Sequence, residues 1–322
     1  GENQRSTEDS VRLVREMQRA SVRKGGLPPF TGADQEGGNV TRLGQGTCLP
    51  GNMAVGATGK TEYAYEAGAV TGRELRAIGM NINFSPVSDV NDNPENPIIN
   101  LRSFGSDPDM VSKMAVSMSR GIQSAGVIAV GKHFPGHGNT SSDSHTSLPR
   151  VEKDLNELRE TELLPFQALI DADIGMLMCA HIQFPALDGT TFRSLSDGQE
   201  IVVPATFSRV ILRDLLRGEM GYDGVVITDA MDMDAIAKHI APPDAVVRAL
   251  AAGADMICMP AKLRSPSDAA KIEEIILTVT NALKQGVLSQ AGIDTSAERV
   301  VRLKIEVGLL DEVYDAQNDE AA

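Results

Sequence analysis

Three of the chain's five histidines, His133, His137 and His145, fall within thirteen residues of the segment VIAVGKHFPGHGNTSSDSHTSLP, residues 127–149. Lys132 and Asp143 lie in the same segment. Imidazole, ammonium and carboxylate groups set this closely can bind a ligand or move protons. Asp143 stands two positions before His145. In a loop that spacing lets the carboxylate orient the ring and raise its basicity, as in acid/base pairs generally. A polar loop stiffened by glycines, its rings bonded to backbone, does not call for so many histidines. Polar clusters at strand ends tend instead to be functional. A metal centre on His133, His137, Asp143 and His145 is the competing chemistry. Their spacing fits no single helix face and no familiar zinc pattern, so no metal and no cofactor is expected.

The elements around the segment explain how such groups would be held. Residues 127–130 are an apolar run suited to a strand buried on both faces, and Gly131, Pro135, Gly136 and Gly138 break it into a loop. The same order of apolar strand, polar loop and helix recurs along the chain. Strands are expected near residues 28–34, 82–87, 127–130, 176–180, 202–207, 224–227 and 255–260. Helices are expected near 63–78, 107–125, 155–171, 210–220 and 245–252, followed by two more that close the chain. The last is read as opening on a capping box, Thr295-Ser296-Ala297-Glu298, and stopping at Gly308. Strands that do not alternate, with helices between them, indicate a parallel sheet covered on its faces. Charged residues follow almost every strand. That favours a (β/α)₈ TIM-type barrel, its site built from all the loops, over an open sheet with one switch point. Seven strands leave two edges unpaired, so the first barrel strand is expected upstream of residue 1 and residues 1–322 are read as one N-terminally incomplete catalytic domain.

Composition narrows the class. A formal charge of −14 argues against nucleic acid and anionic membrane surfaces as partners. No apolar run approaches the ~20 residues of a spanning helix. Three cysteines without a C-x-x-C pair point to free thiols rather than a disulfide framework or structural zinc. Trp is absent and aromatics are 4%, a poor supply of stacking platforms.

The motifs themselves resemble a family. Lys132-His133-Phe134-Pro135-Gly136-His137-Gly138, with Asp143-Ser144-His145, is similar to the signature of the β-N-acetylglucosaminidases in glycoside hydrolase family 3. Asp34-Gln35-Glu36-Gly37-Gly38, Asn83-Phe84-Ser85-Pro86-Val87-Ser88-Asp89-Val90, Arg102-Ser103-Phe104-Gly105 and Ile227-Thr228-Asp229-Ala230-Met231 resemble further blocks in the same order. The resemblance implies a retaining exo-β-N-acetylglucosaminidase. In it Asp229 matches the nucleophile, His145 the acid/base and Asp143 its orienting partner. Asp34, Arg42, Arg102, Lys132 and His133 match positions that hold the sugar's hydroxyls, and Asn39 stands where many members carry arginine. Glycosides of N-acetylglucosamine are the implied substrates, from peptidoglycan fragments or chitooligosaccharides. Phosphate in place of water as acceptor, or a broader β-glucosidase, is the implied alternative. A sugar-binding protein without turnover is the non-enzymatic reading. On residue type alone, Asp89 and His181 read equally as scaffold or site, His137 as site or loop stabiliser. A monomer or weak dimer is expected, and the compartment is open, with the cytoplasm ahead of secretion.

Overall fold

The computed structural model describes residues 6–141 and 148–311. Ten α-helices are described: α1 (Thr7–Arg23), α2 (Asn52–Gly56), α3 (Thr61–Ala77), α4 (Pro108–Ser124), α5 (Leu155–Glu160), α6 (Leu163–Asp171), α7 (Asp234–Ala237), α8 (Pro242–Ala252), α9 (Ala269–Lys284) and α10 (Gln290–Glu306). Between them run β1 (Gly32–Ala33), β2 (Ile82–Asn83), β3 (Ile128–Phe134), β4 (Met176–Cys179), β5 (Thr191–Arg193), β6 (Glu200–Val202) and β7 (Val225–Thr228). Five of these strands form a wall in the order β1-β2-β3-β4-β7, every neighbouring pair parallel. A parallel bridge from Ile227 to Met256 extends it. With helices packed outside, this is a TIM-barrel-like α/β fold.

Side chains along a strand point alternately to its two faces, and the burial follows that period. Ile128 and Val130 of β3, Met176 and Met178 of β4, and Val225 and Ile227 of β7 share one apolar cluster with Leu303 of α10. Ala129, Leu177 and Val226, the residues between, pack instead with the helices. Both faces of the wall are therefore dry, which is why its strands read as continuous apolar runs. Among the described residues no helix is long and apolar enough to cross a membrane.

Four sequence expectations are corrected. Residues 202–207 do not add a wall strand. Val202 ends β6, which pairs antiparallel with β5 in a separate hairpin, and residues 205–207 wind as a 3₁₀ turn. The stretch 255–260 contributes only the Met256 bridge, and Met259 within it is 55% exposed. The segment Val210–Glu219 is a π-helix rather than an ordinary one. Thr295 is no cap: α10 starts five residues earlier, capped by the Ser289 hydroxyl, and the Thr295 hydroxyl turns back onto the Ala291 carbonyl. Gly308 does close that helix region, with a φ of 68°.

Candidate active site

The apolar run at residue 127 does not stop at Gly131. β3 continues through Lys132 and His133 to Phe134, buried throughout. Gly131 is a strand residue, and the position takes glycine because a Cβ there would lie 2.7 Å from Leu169 and 2.8 Å from Leu177. The register against β4 slips between Gly131 and Phe134. Such an irregularity beside a site re-aims side chains that simple alternation would send apart.

Lys132 is buried and would be intolerable there unpaired. Its Nζ lies 2.6 Å from Glu36 Oε1 and 2.8 Å from Asp34 Oδ1. Arg102 closes on the same glutamate as a fork, Nε to Oε2 at 2.9 Å and Nη2 to Oε1 at 2.8 Å. The loop after β1 that supplies Asp34 and Glu36 is fastened by Asn83 of β2. The Asn83 carboxamide accepts the Gln35 N–H and donates to the Gln35 carbonyl. Burial by itself pushes the Glu36 carboxyl up, but Lys132 and Arg102 outweigh it and lower it to about 2. Burial likewise acts to lower Lys132, and Glu36 with Asp34 more than reverse it. Asp34 keeps 38% of its side chain exposed, so it has an oxygen to offer a ligand hydroxyl.

The depressed Glu36 has a consequence for stability. A carboxyl whose folded pKa lies below its unfolded value contributes stability above the unfolded pKa and loses it as pH falls through the folded one. A drop from 4.5 to about 2 corresponds to about 3 kcal/mol, released between about pH 4.5 and pH 2. Urea unfolding followed across that window should show the wild type losing about 3 kcal/mol more than Glu36→Gln. Equal slopes for the two proteins would remove Glu36 from the account.

Beyond Lys132, His133 turns its Nδ1 to Asp89 Oδ2 at 2.7 Å. The loop that follows is fastened to the segment after β2. The Asn96 amide donates to the carbonyls of His137 and Gly138, and that of Asn93 to the carbonyls of Asn139 and Thr140. Gly138 passes so close that any Cβ would overlap the Val90 carbonyl. The His137 ring contacts the Thr140 hydroxyl at 2.7 Å, and burial with the nearby His133 lowers its pKa to about 4. The ring is thus tied to Thr140 within its own loop. Asp143 and His145 lie outside the described residues.

Asp229 follows β7 directly. Its N–H donates to the Cys179 carbonyl at the end of β4, and its Oδ1 accepts the Ala230 N–H at 2.7 Å. His181, which follows β4, donates from Nε2 to the Ala230 carbonyl at 3.1 Å, and its Nδ1 contacts the Thr206 hydroxyl at 2.7 Å. Ala230, the residue after Asp229, is thus held at both its N–H and its carbonyl. Burial pushes the Asp229 carboxyl up, yet His133, His181, the Ala230 amide and Lys132 together hold it below the usual carboxylate range. An ionised carboxylate on a rigid strand end is suited to nucleophilic attack or to steadying a cation.

The wall and the motifs agree with what the chain is similar to. The profile described as Glycosyl hydrolase family 3 N terminal domain matches residues 1–303. The chain belongs to glycosyl hydrolase family 3. It is 41% identical over 313 residues to a family relative, beta-hexosaminidase A of Pseudoalteromonas piscicida, covering 95% of this chain and 52% of that one. It is 31% identical to a beta-N-acetylglucosaminidase/beta-glucosidase of Cellulomonas fimi, covering 88% of this chain and 48% of that protein. The structure of a family 3 beta-N-acetylglucosaminidase from Paenibacillus sp. superposes with a TM-score of 0.86 at 39% identity, over 94% of this chain and 55% of that one. This chain therefore spans about half the length of these relatives.

Within this family 3 domain the sequence-expected residues divide. Glu36 joins Lys132 to Arg102, Asp34 pairs with Lys132, and Arg102 Nη2 lies 3.5 Å from His133 Nε2. Asp229 is coupled electrostatically to His133 and Lys132. Arg42 is exposed, and among the described residues its guanidinium makes no hydrogen bond or ion pair; only its backbone N–H is held, by Gln35 Oε1. Glu36 was not singled out by residue type, although it joins the cluster's two cations. A strand-end Asp-x-Glu facing a Lys is the signal that could have found it. Among the described residues no group of three or more His, Cys, Asp or Glu is placed to hold a metal ion.

Proposed function

We propose that this domain carries the active site of a retaining exo-β-N-acetylglucosaminidase that removes terminal β-linked N-acetylglucosamine. The observation that carries the reading is Asp229: an ionised carboxylate at a strand end, held by the Ala230 N–H and in the electrostatic reach of Lys132 and His133. In the first step an Asp229 oxygen bonds to the anomeric carbon as the glycosidic C–O bond breaks, and His145, oriented by Asp143, gives its proton to the leaving oxygen. In the second, His145 takes a proton from water, whose oxygen displaces the carboxylate and restores the β configuration. Asp34, Arg102, Lys132 and His133, with Arg42, hold the terminal sugar's hydroxyls; charge-assisted bonds of this kind fix the ring for distortion. The names of the Pseudoalteromonas and Paenibacillus relatives support the substrate class.

The test is selectivity. Pocket groups that bond the 2-acetamido arm are left unpaired by a substrate lacking it, and unpaired buried polar groups discriminate strongly. Hydrolysis of an aryl N-acetyl-β-glucosaminide should exceed that of the matching aryl β-glucoside by about 10²-fold or more in kcat/KM. A second reading, activity on both sugars, is favoured by the name of the Cellulomonas relative. Comparable efficiencies would select it, and absence of turnover on either sugar would remove the enzymatic reading.

A further inference from the structure

Asp89 is fully buried six residues beyond β2, and the steps above give it no part. Its two oxygens are used separately. Oδ1 accepts the backbone N–H groups of His133 at 3.2 Å and His137 at 2.7 Å, while Oδ2 faces His133 Nδ1 at 2.7 Å. Burial pushes this carboxyl up, but His133 and His137 hold it below the usual range. An ionised carboxylate has no proton to give, so the proton in the Oδ2 contact belongs to Nδ1. The other ring nitrogen, Nε2, is turned to Arg102 Nη2 at 3.5 Å. A guanidinium offers only donors, so a neutral ring protonated at Nδ1 turns its Nε2 lone pair toward it.

We propose that Asp89 is a positioning residue that locks His133 in the Nδ1–H tautomer and thereby presents Nε2 as an acceptor for one hydroxyl of the terminal sugar. The proposal rests on the glycosidase reading for its ligand, but the tautomer is a property of the protein alone. The bonds to two backbone N–H groups make the lock specific. They fix which carboxylate oxygen faces backbone and which faces the ring, and they tie the base of the loop after β3 to the same atom. An imidazole so held reads a hydroxyl by accepting from it, whereas the other tautomer would set N–H against both the Arg102 donors and the hydroxyl proton.

The experiment uses Asp89→Asn, which keeps the size of the side chain and an oxygen for the two backbone N–H groups. Its amide NH₂ then faces Nδ1, so the ring proton must move to Nε2, the wrong tautomer. Nitrogen-15 spectra of the ring-labelled protein at about pH 8, where an ordinary imidazole is neutral, should show His133 protonated at Nδ1 in the wild type and at Nε2 in the variant. Removing a partner of this kind typically costs about 10–100-fold in activity, and kcat/KM on an aryl N-acetyl-β-glucosaminide should fall by that factor. In a His133→Ala background Asp89→Asn should cost nothing further. Among single-deoxy substrates there should be one that wild type and Asp89→Asn process equally well. A wild-type ring protonated at Nε2 would overturn the proposal, and needs no variant to fold. So would an Asp89→Asn penalty of the same size with and without His133. An Nδ1–H spectrum from a wild type that turns over no glycoside would support the lock and count against the proposed function instead.

Discussion

Asp229→Ala should lower kcat on an aryl N-acetyl-β-glucosaminide by about 10⁴-fold or more, the scale seen when a covalent catalyst loses its nucleophile. The loss should be similar for activated and unactivated leaving groups, because bond formation at the anomeric carbon fails in both. Stability should change little in the destabilising direction: the carboxylate accepts one local bond, from the Ala230 N–H, and burial works against its charge. Azide, small enough for the vacated space, should restore part of the rate and yield the α-glycosyl azide, inverted relative to the substrate. A second readout is covalent. An N-acetylglucosaminyl fluoride carrying fluorine at C5 keeps the acetamido arm yet slows breakdown of the glycosyl-enzyme. It should add one sugar mass to the peptide containing Thr228-Asp229-Ala230. The competing route has the substrate's own acetamide oxygen attack, with Asp229 only steadying the charge. Unlabelled protein together with a retained product from wild type would select that route and end the nucleophile assignment.

The parts of the fold legible in the sequence are those where burial writes a pattern. The runs at residues 128–130, 176–179 and 225–227 are apolar on both faces because both faces are covered, and each lies in a wall strand. The stop at Gly308 is local chemistry that needs no tertiary partner. Reading failed where partners far along the chain decide. Lys132 and His133 look like the start of a loop until Asp34, Glu36 and Asp89 are known to sit beside them; with those partners they are interior strand residues. Val202 and Val203 look like a wall strand, but the hairpin to Thr191 takes the first into an antiparallel pair. The site behaves the same way. The motif resemblance points to Asp229, Lys132, His133 and Arg102, while Glu36, Asp89 and His181 acquire roles only through burial and contacts that one sequence does not display. A carboxylate in a solvated loop and one between two buried cations are the same letter.

His145→Ala should separate substrates by how badly their leaving groups need a proton. A general acid typically contributes about 10²–10⁴-fold, and that factor should appear in kcat/KM on an N-acetylglucosamine disaccharide, whose departing alkoxide is a strong base. On a dinitrophenyl glycoside the first step should be nearly untouched, since that phenolate leaves unaided. Breakdown of the glycosyl-enzyme then limits turnover, because no base remains to activate water, and a burst of phenolate equal to the enzyme concentration should precede a slow steady state. Azide needs no deprotonation. It should therefore raise the steady state and give the β-glycosyl azide, opposite in configuration to the product expected from Asp229→Ala. Asp143→Ala should show the same pattern more weakly, the ring being present but poorly held. The pattern distinguishes three roles for the imidazole. A structural histidine would depress both substrates alike and ignore azide. A metal ligand would do the same and make wild-type activity sensitive to a chelator. Only a group that gives a proton in one step and takes it in the next produces a leaving-group-dependent loss together with rescue by an anion. Equal losses on the two substrates, without a burst, would place the proton transfer on some other side chain.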